Sequence, residues 1–482
     1  MEEVGYVISS KDFLVYLDGL PTIKINDMVV SEGGTRGWVN ALLDDRVEVL
    51  LLDEGVITPG QMFKKMGDKL GIKTGEFLLG RSVNPIGVPL DGKALVLKPK
   101  EGTQLELDTQ ASGIKSRRFI SEQMVTGLTL IDSLIPLGKG QRELIMGDAH
   151  SGKTGFIIDL IVNQKNTGVI CIYTSIGQPI THVRRMIDIL KSNDALGHSI
   201  IIAASSAEPA PLIFLAPQAG FSVAEYFQRQ GKDVLLILDD MGNHAKIYRE
   251  ISLLSNKSPG KESYPGDIFY QHSHLVERAG YFKDEFGGGS ITALPVIELN
   301  MSDFTTLIPT NIMSMTDGHL LFKSALHSQG QDPAIDISLS VSRVGRQTQN
   351  RLINALSSKV RQLLAEAEQL ETVSRFSSEL PPETQLLLKQ KIFITEIIRQ
   401  EALSFLNINT QTILLGLVFT GFLKDKTDAY LKKIKKDLIQ AFVTDPALSP
   451  FTEGVNELPD EKTLIAELEK LTPKLNQMFP KQ

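Results

Sequence analysis

Cysteine is almost absent from this sequence: Cys171 is the only one, which rules out an intrachain disulfide and any cysteine-based zinc cluster. It lies inside the apolar run Thr167–Tyr173 and reads as a buried strand thiol, in keeping with a reducing compartment. A basic excess is missing too. The 50 Lys and Arg against 57 Asp and Glu leave a net charge of −7, the reverse of the balance expected of a nucleic-acid machine. No apolar stretch reaches the roughly 18–20 residues needed to span a bilayer. Thr412–Phe422 comes nearest and reads as a core helix. Met1-Glu2-Glu3-Val4-Gly5 has neither the layout of a secretory signal nor that of an Arg-rich presequence. There is no internal repeat and no low-complexity tract.

What is present is the composition of a globular chain. Its 482 residues, 42% hydrophobic and 22% charged, allow two to four domains with cores of their own. Residues 1–70 alternate short apolar runs (Val4–Ile8, Phe13–Leu17, Gly37–Leu42, Val47–Leu52) with breaks at Gly19, Gly33-Gly34 and Gly55. That spacing predicts a small β-barrel or sandwich. Gly80–Gly92, dense in Gly and Pro, reads as a linker-like loop. Residues 71–350 carry the central domain. From about residue 95 apolar runs such as Gly168–Tyr173, Ser199–Ala203 and Val234–Leu238 alternate with helix-length amphipathic segments, the pattern of βαβ units around a buried, mostly parallel sheet. Residues 351–482 turn helical. Leu352, Leu356, Val360, Leu363, Ala367 and Leu370 form one stripe of a long helix that Pro381-Pro382 interrupts.

One segment carries chemistry. Gly147-Asp148-Ala149-His150-Ser151-Gly152-Lys153-Thr154 fits G-x-x-x-x-G-K-[ST], and it stands where the pattern needs to stand, after the strand Leu144–Met146 and before the helical Phe156–Ile161. Glycines there let backbone N–H groups converge on phosphate oxygens, and the helix start adds partial positive charge. Lys153 would reach the β- and γ-phosphates of ATP, or the β-phosphate of ADP, and Thr154 would ligate Mg²⁺. Val234-Leu235-Leu236-Ile237-Leu238-Asp239-Asp240 reads as a buried strand delivering Asp239 to the sheet edge where α/β proteins bind ligands. Asp239 would hold the same Mg²⁺, directly or through a water. His182, His244, His272 and His274 lack metal-ligand spacing and read as structural.

Beyond these motifs the sequence resembles the α subunits of F-type ATP synthases. The likeness is carried by Gly140–Asp148, by Ser258-Pro259-Gly260-Lys261-Glu262-Ser263-Tyr264-Pro265-Gly266-Asp267-Ile268-Phe269-Tyr270, by Gly287–Glu298 and by Ser340-Val341-Ser342-Arg343-Val344-Gly345. It covers nearly the whole chain and weakens after about residue 350. The resemblance implies a β-barrel crown, a RecA-like nucleotide domain and a helical C-terminal domain. It also implies an α₃β₃ ring of alternating α and β subunits around a γ shaft, held by a peripheral stalk at the cytoplasmic face of an energy-transducing membrane. Gln178 stands where catalytic subunits of the family carry a glutamate; an amide cannot serve as the base for the attacking water, although glutamines orient water in some GTPases. Arg343 matches the arginine that reaches into the neighbouring β site. Val373–Leu380 matches a segment that faces γ.

Three departures from the family pattern stand out. Ala149, His150 and Ser151 replace the usual middle of the loop, positions expected to contribute mainly backbone. In the adenine region Gln400-Glu401-Ala402 keeps only the first of two glutamines, an expectation of looser base selectivity. The sequence also begins almost at the barrel, without the helical extension that docks the δ subunit in the family, so the stator is expected to join differently or to lack that subunit. Two other ring proteins are set aside by chemistry. A self-sufficient export-type hexameric ATPase needs its own base, which Gln178 does not supply. A ring-shaped RNA translocase needs a basic, aromatic-studded surface at odds with the acidic balance.

Overall fold

The computed structural model describes residues 3–94, 102–301, 303–374, 381–424 and 426–480. Its first six strands are β1 (Val4–Lys11), β2 (Leu14–Gly19), β3 (Asp27–Ser31), β4 (Arg36–Leu42), β5 (Val47–Leu51) and β6 (Met62–Lys69), closed into a barrel in the order β1-β2-β5-β4-β3-β6. Closure comes from antiparallel pairing of β6 with β1, Phe63 opposite Gly5, and it removes the sheet edges that a small β unit would otherwise expose. Val15, Leu17, Val29, Val39, Val49 and Phe63 are fully buried inside.

After the barrel come β7 (Gly71–Thr74), β8 (Ser82–Val83), β9 (Thr103–Glu106), β10 (Glu143–Asp148), β11 (Ile170–Gln178), β12 (Ser199–Ser205), β13 (Asp233–Asp239), β14 (Gly280–Tyr281) and β15 (Ser290–Leu299). β7 and β9 pair by themselves, whereas β10, β15, β13, β11, β12 and β8 lie side by side in that order, every pair parallel. β14 adds an antiparallel piece on β15. Val234–Leu238 of β13 are buried without alternation, as expected of a strand covered on both faces. Cys171 lies buried in β11, and burial pushes its thiol pKa up. Gly80–Gly92 proves to be more than a linker. It contributes β8, with Ser82 and Val83 paired to β12, and the Asn84 carboxamide oxygen accepts from the N–H groups of Ile86 and Val88. A two-residue strand is too short to show a period in sequence.

The helices are α1 (Lys153–Asn163), α2 (Ile180–Ser192), α3 (Ala210–Phe214), α4 (Ala216–Gln228), α5 (Met241–Leu254), α6 (Ile268–Val276), α7 (Leu307–Met315) and α8 (Ser324–Ser328). They are followed by α9 (Arg351–Ser374), α10 (Pro382–Ile398), α11 (Ile408–Leu417), α12 (Asp428–Thr444), α13 (Ser449–Gly454) and α14 (Glu461–Met478). Two short strands, β16 (Gly318–Phe322) and β17 (Val341–Ser342), precede α9. The chain forms two compact units. The first comprises Met1–Phe119, Lys139–Ala149 and Gln164–His319, and the second Ile120–Gly138, His150–Asn163 and Leu320–Gln482.

In the second unit α9 buries Leu352, Leu356, Val360, Leu363 and Ala367 of the stripe that the three-four spacing predicts, while Leu370 at its end is half-buried. α11 is buried along nearly its whole length but ends at Leu417 rather than Phe422. Residues 375–380, part of the γ-facing match, lie outside the described residues. Among the described residues no helix is long and apolar enough to cross a membrane. Two local features hold this unit together. The buried Asp132 carboxylate accepts from Thr126 N–H, Thr126 Oγ1, Gly127 N–H and Gln411 Nε2, all at 2.8–2.9 Å. Gly345 approaches the Pro136 carbonyl so closely that a Cβ would sit 1.6 Å from its oxygen.

In the first unit His244 on α5 and His272 on α6 form a fully buried pair, Nδ1 to Nε2 at 3.2 Å. His244 Nε2 lies 3.2 Å from the Phe214 carbonyl and so must donate. Its Nδ1 then accepts from His272, and both rings are neutral. Burial lowers His244 to about 4 and His272 well below its ordinary value.

Two outcomes follow. Between pH 6.5 and 4 the unfolded chain binds a proton at His244 that the folded chain refuses. Stability is therefore present above the window and lost as pH falls through it, by about 3 kcal/mol for this residue. Chemical denaturation against pH should show that slope in the native chain and a flatter one in H244Q/H272Q. Gly345→Ala should destabilise the chain by several kcal/mol, about 3 or more for an overlap with backbone that cannot yield. A melting temperature unchanged from the native value would contradict the close approach.

Candidate nucleotide site

The phosphate loop runs from β10 into α1. β10 is apolar and buried, and it ladders onto β15 from Ile145 opposite Val296 to Asp148 opposite Leu299. Beyond Asp148 the backbone turns through two left-handed residues, His150 at φ +57° and Gly152 at φ +93°. Gly152 needs its missing side chain on two counts, since a Cβ would be strained at that φ and would meet His327 Nδ1 at 3.4 Å. Ala149 and His150 are exposed, but Ser151 is buried and its hydroxyl accepts from Lys153 Nζ at 3.4 Å. Ser151 thus does more than the backbone role expected of it. α1 starts at Lys153 with Thr154 exposed on its first turn. The first N–H groups of a helix have no partner within it, and with the aligned peptide dipoles they make a place for an anion.

At the edge of the sheet in the first unit, β13 ends in Asp239, opposite Ser175 of β11. The carboxylate is buried, and its Oδ2 accepts from the Tyr173 hydroxyl at 2.6 Å. Tyr173 is itself fully buried, and burial together with the Asp239 charge holds its phenol well above the ordinary value. Asp240 caps α5, its Oδ1 accepting from Gly242 N–H at 2.6 Å. Burial, reinforced by the neighbouring Asp239, pushes Asp240 up to about 7. Gln178 closes β11 opposite Ser205 of β12. It is half-buried, and its amide has no hydrogen-bond partner among the described residues. Gly147, Asp148, Gln178 and Asp239 therefore lie on the C-terminal side of one parallel sheet, the side where such sheets bind ligands. Sequence reading missed Tyr173 and the capping role of Asp240. The first becomes a neighbour of Asp239 only through the pairing of β11 with β13.

In the second unit, Arg343 follows β17 and is exposed, with no ion pair among the described residues. The residues around it are fixed. Ser342 Oγ donates to the Pro136 carbonyl at 2.8 Å, and Gly345 N–H points back to Ser342 Oγ at 3.3 Å. Gln400 is placed differently from the expectation of a base-reading side chain. Its Nε2 donates to the carbonyls of Gly127 and Ser404 at 2.9 and 2.8 Å, and its Oε1 accepts from Thr129 N–H at 2.6 Å. Both amide hydrogens are spent on backbone carbonyls and the oxygen already accepts one backbone N–H, so Gln400 pins the segment before Asp132. Beside it opens a cavity of about 650 Å³ whose lining includes His327, Asp332, Arg399 and Lys435. Leu403 N–H donates to Asp159 of α1 at 2.9 Å at its margin. Among the described residues no group of three or more His, Cys, Asp or Glu could hold a metal ion by itself.

Known proteins match this arrangement over most of its length. The family model for the ATP synthase alpha/beta family, nucleotide-binding domain, matches residues 127–342, and that for the ATP synthase alpha/beta chain, C terminal domain, matches residues 349–474. The ATP synthase subunit alpha of Metamycoplasma arthritidis (strain 158L3-1) is 39% identical over 445 residues, which is 92% of this chain and 84% of that protein. A barrel, a parallel-sheet nucleotide-binding domain and a helical C-terminal domain, carrying these matches, make the chain a member of the ATP synthase alpha/beta family on its alpha-subunit side.

Proposed function

We propose that this chain holds ATP or ADP with Mg²⁺ at its own loop without hydrolysing it, and lends Arg343 to the catalytic site of a neighbouring β-type subunit. The observation that carries this reading is the state of Arg343: an exposed guanidinium, unpaired among the described residues, on a segment whose flanks are fastened to Pro136. A cation so held has lost little to internal pairing and is available to charge outside its own chain. At a γ-phosphate it would stabilise the negative charge that spreads over the equatorial oxygens, an effect of roughly 10³–10⁵ in rate for arginine fingers. Gln178 supports the other half of the reading, because its amide has no basic atom to take a proton from water.

For the chain's own site, Gly147–Thr154 would wrap the phosphates, with Lys153 as the charged contact. Thr154 Oγ1 and the Asp239 carboxylate are the hard oxygen donors that Mg²⁺ takes. Two adjacent buried carboxylates, Asp239 and Asp240, make surroundings that a divalent cation suits. When bound, the ion would neutralise phosphate charge. The wider setting proposed is an alternating ring with β subunits around a γ shaft, joined by a peripheral stalk and lying at the cytoplasmic face of an energy-transducing membrane. Residues 1–70 would form its crown, 71–350 its nucleotide domain and 351–482 its helical domain.

Two measurements test the division of labour. In a ring reassembled with its β-type partner, Arg343→Ala should cut multisite hydrolysis by about 10³ or more while leaving Mg-ATP binding to this chain within twofold; near-native turnover would remove Arg343 from the chemistry. The purified chain alone should bind Mg-ATP without turnover, and Lys153→Met should weaken that binding by about 100-fold. Steady hydrolysis by the isolated chain, lost in the Lys153 variant, would show that it has a base of its own.

A further inference from the structure

The C-terminal helices enclose a groove that the nucleotide chemistry does not use. Its volume is about 640 Å³, and it lies between α10 and α14, floored by the segment that follows α11. One wall is Leu386, Lys389, Gln390 and Phe393 of α10, and the other is Lys462, Ile465, Ala466 and Glu469 of α14. On each helix these residues fall at i, i+3, i+4 and i+7, a single face. Two such faces side by side leave the space that a third helix fills, the mode in which a groove receives an amphipathic segment. The floor is apolar, with Val418 buried and Phe419 half-buried, and Leu386 is 43% exposed at the lip.

Charge says which helix. Lys359, Lys389, Lys424 and Lys462 surround the groove, and none of them forms an ion pair among the described residues. Lys359 Nζ stands over the Phe419 ring at 4.5 Å, and Lys389 Nζ donates to the Lys424 carbonyl at 2.5 Å. The one carboxylate among the described lining residues, Glu469, accepts from Gly421 N–H at 2.9 Å. Four lysines without an ion pair among the described residues therefore face one carboxylate, Glu469, around an apolar floor, in a chain whose net charge is −7. Like charges so grouped repel one another, and carboxylates arriving from outside would relieve that repulsion.

We propose that this groove docks an acidic amphipathic helix of a partner protein, with apolar side chains on Val418 and Phe419 and carboxylates against the four lysines. The test uses the full chain and a fluorescein-labelled synthetic helix with Leu on one face and Glu on the other, followed by anisotropy. Binding should saturate, weaken with added salt, and fall at least tenfold in K424E/K462E. These lysines are exposed, so the variant should keep the native melting temperature and circular dichroism. A matching helix with Lys in place of Glu should bind the variant better than the native chain. The proposal fails if the same helix with Gln in place of Glu binds equally well, if the variant binds as the native chain does, or if only phosphatidylglycerol vesicles and not the peptide are retained.

Discussion

Most of this molecule's chemistry rests on one constraint: a multiply charged phosphate chain must be met by backbone N–H groups, because few side-chain cations fit around it. Peptide groups converge only if the chain reverses sharply between a strand and a helix. Here that reversal passes through left-handed backbone at His150 and Gly152, a region that glycine enters freely and other residues enter at a cost. On one side of the turn β10 is held in a parallel ladder; on the other, α1 buries its apolar face.

The polar groups near the sheet edge show the complementary cost. Asp239 and Asp240 are adjacent and buried, so one carboxylate raises the affinity of the other for protons. The Tyr173 hydroxyl and the Gly242 N–H meet part of that cost. Arg343 stands at the opposite extreme. Its own guanidinium is exposed, while Ser342 and Gly345 beside it are tied to Pro136. A fixed base beneath a solvated head is what the proposed role of Arg343 in a neighbouring site requires, because it limits the entropy lost on ordering the side chain.

Much of the fold was legible in the residues. The alternation before residue 70, the apolar strand ending in Asp239, the loop with its lysine and the three-four stripe from Leu352 to Ala367 are all contiguous patterns, and each forms the element its period predicts. Where reading fell short, the cause was distance along the chain. β8 hides in two residues of a Gly- and Pro-rich stretch because its pairing partner is β12, more than a hundred positions away. Gln400 looked like a base contact because its neighbours resembled one. Its amide bonds the backbone of Gly127, Thr129 and Ser404, and two of these lie far back in the chain.

Taken by itself, then, the sequence determined the element types, the phosphate loop and the absence of a glutamate at position 178. Those properties depend on residues within a few positions of one another, where steric and hydrogen-bonding preferences act directly. Only the tertiary structure decided that Tyr173 holds Asp239, that His244 and His272 share a buried proton-poor pair, that Gly345 cannot bear a side chain, and that four lysines line one groove of the C-terminal helices. Each of these is a contact between segments brought together by burying apolar surface. Such proximity is set by the packing of the whole core, and no local pattern encodes it.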